Sequence, residues 1–338
     1  MSGMTGLAPL DVHTALGSWT LAPVADAIAA LAALGYLWRV RSMRAHGVRW
    51  PIGRTIAFLA GLVVLLIAMQ SSVEVYGHEL FAMHMVQHLL LIMVVPMLVV
   101  LGQPLSLLYW DVDGGTDQGR EDHLVVVCRA VLRSPVARAL TYPGVGLGLY
   151  AAVLIGTHLT GFMQLMLQHM WLHDVEVVLY LLGGYLYFLP LLGHEPLAKP
   201  LSYPLRVFLM LMGMTVDTVV GVVLMMAARE PFPGYAEMGR AWGSTPLADV
   251  HTGGAIMWVV GDGLMMAIMI VAIAAWMSDT ERQNDTGSWL ESARRGTLAE
   301  RTGRAMLADT ENIDDDDDAL AAYNRMLTSL HKREQHQR

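Results

Sequence analysis

The sequence predicts an all-α, polytopic membrane protein with seven transmembrane helices, its amino terminus outside and its carboxyl terminus cytoplasmic. Three observations carry this. Of 338 residues, 54% are hydrophobic and only 15% charged, with positive mean hydropathy. The apolar residues gather in seven blocks of roughly 18 to 25 residues, each long enough to cross a hydrocarbon core about 30 Å thick. The basic residues, finally, fall on alternate connections.

In chain order the blocks run near Leu21 to Val40, Ile52 to Gln70, Leu80 to Leu101, Gly144 to His158 with flanking residues, Val175 to Leu192, Leu205 to Ala227 and Ala255 to Met277. Gly144, Gly146, Gly148 and Gly156 dilute the fourth, although glycine is common where membrane helices pack closely. This divides the chain into an extracytoplasmic segment (1–20), a seven-helix membrane domain (21–277) and a polar cytoplasmic tail (278–338). The loop from Gly102 to Pro143 opens with DVDGGTDQGRED, a solvated turn, and continues with VVVCRAVLRSPVARAL, whose apolar residues recur at helical spacing along the inner membrane surface. In the tail, DDDDD at 314–318 precedes a short amphipathic helix with Leu320, Tyr323, Met326, Leu327 and Leu330 on one face.

With the amino terminus outside, the outer segments hold only Arg229 and Arg240, and the inner ones the other twenty of the 22 Lys and Arg residues. The net charge of −8 owes its sign to the acidic tail and says little about partners. The first twenty residues lack the basic start of a cleavable signal. A single cysteine, Cys128, leaves no disulfide framework and no thiolate metal site. No phosphate loop, dinucleotide turn or basic aromatic groove is present, so nucleic acid is not a partner; the bilayer is.

Ionisable groups inside a bilayer are costly and usually serve a site. On the predicted topology His78, His84 and His88 lie at the outer end of helix three, His158 ends helix four, His169 and His173 precede helix five, and Asp249 and His251 precede helix seven. His84 and His88, four apart, stack on one helix face about 6 Å apart along the axis, and HMWLH repeats the spacing with His169 and His173. Those four are the candidate metal ligands. His88, Asp217 and Asp262 come at similar depth and would share one polar pocket if their helices are neighbours. Thioethers lie beside the imidazoles, among them Met85, Met166 and Met170, and thioether with imidazole suits copper(I) better than magnesium, calcium or manganese. The plainer readings are a histidine satisfied by hydrogen bonds, methionine as core filler, Asp217 held by Thr215 and Thr218, and Asp262 held by the backbone at Gly261 and Gly263.

HMWLH has the histidine spacing of a zinc protease helix, but Met170 stands where the catalytic glutamate belongs, so an enzyme is not expected. Four histidines on two helices leave haem b ligation open, and a metal-free interaction scaffold is a third reading.

The stretch HMVQHLLLIMVVPMLVVLGQPL resembles the signature of the seven-helix CtaG family of bacterial cytochrome c oxidase assembly factors. HDVEVVLYLLGGYLYFLPLLGHEP, MTVDTVVGVVLMM followed by PFPGY, and DVHTGGAIMWVVGD agree in order, covering about residues 20 to 277. The resemblance implies a protein of the bacterial cell membrane that delivers copper to maturing oxidase, with cytochrome c oxidase subunits and an extracytoplasmic copper donor as partners. It carries over His84 and His88 as ligands, then His173. The family often has histidine where this chain has Asp217, and Asp-Gln where it has Asp249-Val250.

Overall fold

In the computed structural model, residues 7–109, 130, 134–192, 195, 201–302 and 320–328 are described, with only the backbone at 279–293 and 299–302. The chain divides into two compact units, 1–269 and 270–338. The described residues form helices α1 (Val12–Gly17), α2 (Pro23–Ala45), α3 (Ile52–Gln70), α4 (Ser72–Gly77) and α5 (Phe81–Leu89). A π-helical turn (Leu90–Val94) follows, then α6 (Val95–Gly102), α7 (Pro104–Tyr109), α8 (Pro135–Leu140), α9 (Pro143–His158), α10 (Phe162–Gln168), α11 (Met170–Leu192), α12 (Tyr203–Met225), α13 (Pro233–Glu237) and α14 (Pro246–Thr302). Proline stands in the first turn of α2, α8, α9, α12 and α13, where its missing N–H has no intrahelical partner to lose.

Among the described residues six helices are long and apolar enough to cross a membrane: α2, α3, the run Phe81–Leu108, α11, α12 and the part of α14 over Pro246–Ser278. A seventh span exists if α9 and α10, bent 65° from each other, count as one. The chain is thus an all-helical, multi-pass membrane protein, as its composition predicts. Leu31, Ile56, Val178, Phe208 and Val259 face outward, the apolar belt that lipid requires. Most of the predicted surface segment after Gly102 lies outside the described residues; α8 is its last turn and a half.

Small residues decide which helices touch. Gly146 of α9 leaves room for the Leu186 carbonyl of α11, Gly221 of α12 for Gly254 and Trp258 of α14, and Gly253 for Phe81 and Met85 of α5. The tightest approach is Gly184 of α11 against Ile92 in the π turn, where any side chain would strike the Ile92 carbonyl oxygen and the Pro96 ring. Pro96 explains the turn: it has no N–H for the Ile92 carbonyl and its ring crowds that oxygen, so the helix widens and Val95 donates to Leu90.

Short helices close the end of unit 1 where His84 lies. Tyr76 donates to the Ala8 carbonyl (2.9 Å), Tyr235 to that of Gly77 (3.1 Å), and Gly234 donates its N–H to Gln164 (3.0 Å). At the other end Tyr36 donates to the Gly102 carbonyl (2.8 Å) and accepts from Trp50 (3.0 Å), over a core of Val40, Met43, Phe58, Leu62 and Leu107. In unit 2, residues 320–328 form a helix whose Ala322 and Met326 pack on Leu298, with Leu327 exposed and Leu330 outside the described residues.

Gly184→Ala is expected to cost about 1–3 kcal/mol through overpacking and lower the melting temperature of the detergent-solubilised protein. Gly148→Ala, where a methyl meets open space, leaves it unchanged.

Candidate metal centre

The residue before α5, Leu80, has no side chain to cap the helix. Asp249 of α14 does so instead: its carboxylate accepts from the N–H of Phe81 (2.8 Å) and Ala82 (3.4 Å) and lies 3.7 Å from Arg240. A negative charge at a helix amino terminus is favourable, and this one fixes the start of the helix that bears His84 and His88. The Gly184 contact fixes α11 beside it. Glu176 lies eight residues before Gly184, as His84 lies eight before Ile92, so the two parallel helices bring Glu176 level with the histidines.

Glu176 Oε2 is 3.5 Å from His84 Nε2 and 3.4 Å from His88 Nε2, and the two rings are 4.1 Å apart. One ligand atom from each of the three residues lies within 4.8 Å of the others. All three residues are at most 4% exposed. His84 Nε2, His88 Nε2 and both oxygens of Glu176 make no hydrogen bond. An unsatisfied buried polar atom costs about 1–3 kcal/mol, so four at one point need a common partner.

The surrounding bonds show what kind of partner. His158 Nδ1 lies 3.0 Å from the Leu154 carbonyl, which can only accept, so this nitrogen carries the hydrogen. In the neutral ring Nε2 is then bare and accepts from His88 Nδ1 at 3.2 Å. That leaves the His88 Nε2 lone pair pointing at a carboxylate, which also only accepts. Two acceptors 3.4 Å apart can be joined by a proton on either of them or by a metal cation beside them. This orientation of a ligand by its outer neighbour is what a metal-binding histidine needs. Met85 Sδ lies 3.2 Å from His158 Nε2, and the Tyr180 ring lies 4.1 Å from that of His88, tilted by 34°, while its hydroxyl bonds Thr157 at 2.8 Å.

His173 lies on the same face, its ring 5.9 Å from His84 and its Nε2 3.4 Å from Gln87 Oε1. Glu74 of α4 is 4.0 Å from His173 and 3.1 Å from His78, and accepts a hydrogen bond from Gln87. Burial opposes the Glu74 charge, but bonds from His78 and Gln87 and the neighbouring imidazoles outweigh it and hold the carboxyl below its usual value.

Other predicted site residues lie elsewhere. His169 is exposed, in extended backbone between α10 and α11, so it does not share a helix face with His173. Met170 beside it is 61% exposed, whereas Met166 is buried in α10. The break removes the fourth histidine from the arrangement that left haem open. His251 donates to the Ala227 carbonyl (2.9 Å). Asp217 accepts from Tyr150 (3.0 Å to each oxygen), and Asp262 from Thr218 (2.6 Å). No hydrogen bond or ion pair among the described residues links either of them to His88, and Thr215 turns back to the Leu211 carbonyl. Glu176, Glu74 and Gln87 were not anticipated; the available signal was HDVE, where Glu176 falls three residues after His173 and so on the same helical face.

Residues 34–279 match the family model of the cytochrome c oxidase caa3 assembly factor. The chain belongs to this family. That bears out the resemblance carried by the HMVQHLL stretch, and the match takes in α3 to α13 whole, with the second half of α2 and the first part of α14. Among curated proteins, this caa3 assembly factor family member is 28% identical to an uncharacterized protein of Mycobacterium bovis over 323 residues, 95% of this chain and 46% of the relative. It is also 28% identical to an uncharacterized protein of Mycobacterium leprae over 313 residues, 92% of this chain and 44% of the relative. The chain thus spans less than half the length of these relatives. No solved structure matches it.

Asp249→Ala removes the cap of α5 and is expected to lower stability by about 0.5–2 kcal/mol, read as a drop in melting temperature. An unchanged melting temperature would show that α5 is held without it.

Proposed function

We propose that this protein is a non-enzymatic assembly factor for haem-copper oxidase that holds one copper ion between His84, His88 and Glu176 and releases it to the maturing oxidase. The observation that carries the reading is the set of four buried, unpartnered ligand atoms facing one point. Copper(II) stands highest among divalent first-row metals for nitrogen and oxygen donors. Glu176 suits that state, while the Met85 thioether beside His158 offers the soft donor that copper(I) prefers. Zinc would accept the imidazoles and carboxylate but gain nothing from the methionine.

The Lys and Arg distribution supports an orientation with the histidine end outside the bacterial cell membrane and the tail in the cytoplasm. Copper would then come from an extracytoplasmic donor, and the outward apolar belt would meet oxidase subunits within the bilayer. Copper is cargo here, so the ligands must let go: three side chains without a thiolate cage hold an ion less permanently than a closed cysteine site.

Purified protein is expected to take up one copper per chain, measured by metal analysis after loading and desalting. His84→Ala with His88→Ala abolishes the uptake and His169→Ala does not. Affinity falls as pH is lowered, because the imidazoles and carboxylate must lose their protons to bind. Wild-type stoichiometry in the double variant would contradict the assignment.

A further inference from the structure

Outside the three ligands, a second group of metal-binding side chains lies on one side of them and leads outward. Side-chain exposure falls steadily along it: 33% at His78, 14% at Glu74, 5% at His173 and 1% at His84. His78 Nε2 is 3.1 Å from Glu74 Oε1, and Glu74 Oε2 is 4.0 Å from His173 Nε2. The His173 ring is 5.4 Å from that of His78 and 5.9 Å from that of His84, so it stands between the surface pair and the buried site. Gln87, between His84 and His88 on α5, ties these together: its amide nitrogen donates to Glu74 and to the Ala68 carbonyl (2.9 Å), and its oxygen meets His173. Oxygen and nitrogen donors therefore follow one another from solvent to the buried centre.

We propose that His78, Glu74 and His173 form a loading station that captures the copper ion at the surface and passes it to His84, His88 and Glu176. This rests on the copper reading of the buried site. A buried cation site with no polar route would oblige the ion to shed its water all at once, whereas here each imidazole or carboxylate replaces part of the hydration as the ion moves inward. The Glu74 carboxylate, mostly enclosed by protein but still reached by solvent, concentrates cations at the mouth of the route. Gln87 is a positioning residue, holding Glu74 and His173 in line through a side chain anchored on Ala68. The capture step needs no redox partner: ligand exchange conserves the oxidation state of the ion.

The test is the rate of loading set against its extent. Full-length protein in detergent is mixed with aqueous Cu²⁺ by stopped flow, and binding is followed by quenching of tryptophan fluorescence, with final stoichiometry taken by metal analysis. His78→Ala and Glu74→Gln are each expected to slow loading by about tenfold while the final stoichiometry stays that of the wild type. Loading at the wild-type rate in both variants would overturn the route and leave the buried site standing, His78 and Glu74 then being an ordinary surface pair one helical turn apart. If wild-type protein takes up no copper, the functional reading fails and the route with it.

Discussion

The contact of Gly184 with the Ile92 carbonyl sets the register on which the candidate metal centre depends. Pro96 withholds an N–H, the helix widens into a π turn, and the displaced backbone is met by the one residue type without a side chain. Because α5 and α11 run parallel from that point, a carboxylate two turns up one helix falls between two imidazoles on the other. A slip of one residue would turn Glu176 by about 100° and leave the histidines facing lipid-soluble side chains instead.

The centre is built at the expense of local stability. Two imidazole nitrogens and a carboxylate stand buried without hydrogen bonds, while the rest of the neighbourhood is satisfied: His158 by Leu154, Thr157 by the Val153 carbonyl and Tyr180, Gln87 by Ala68. Single unsatisfied atoms also occur elsewhere, at Thr55 or Tyr185 for example, but four on three residues that face one another are the mark of a site rather than of loose packing. The short helices and Asp249 hold the frame rigid enough to keep them there, which is how a scaffold tolerates such groups.

The helices were legible because a bilayer admits little else: blocks of apolar residues of spanning length must be helical, and of the seven predicted from hydropathy six are single spans among the described residues, while the glycine-diluted fourth is completed only by a helix bent 65° from it. His84 and His88 were legible because spacing four on a helix is a geometric statement. His169 misled because the same spacing was assumed to lie on one helix, whereas the chain bends there; a break of one residue carries no hydropathy signal. Glu176 escaped because a carboxylate in an apolar segment has no partner visible in sequence, and its partners lie on a helix more than eighty residues earlier. Asp217 and Asp262 are expected at the depth of His88, but depth alone does not fix azimuth, and each accepts a hydrogen bond from a hydroxyl, of Tyr150 or Thr218, on a neighbouring helix.

The central claim is that two imidazoles and one carboxylate share a single copper ion. Electron spin-echo spectroscopy of the Cu²⁺-loaded protein tests it at the ion itself, since modulation from the remote ring nitrogens counts coordinated imidazoles. Two equatorial histidines are expected in the wild type, falling to one in His88→Ala, with a changed copper hyperfine coupling in Glu176→Gln. A spectrum without imidazole modulation, or one untouched by both substitutions, would contradict the account.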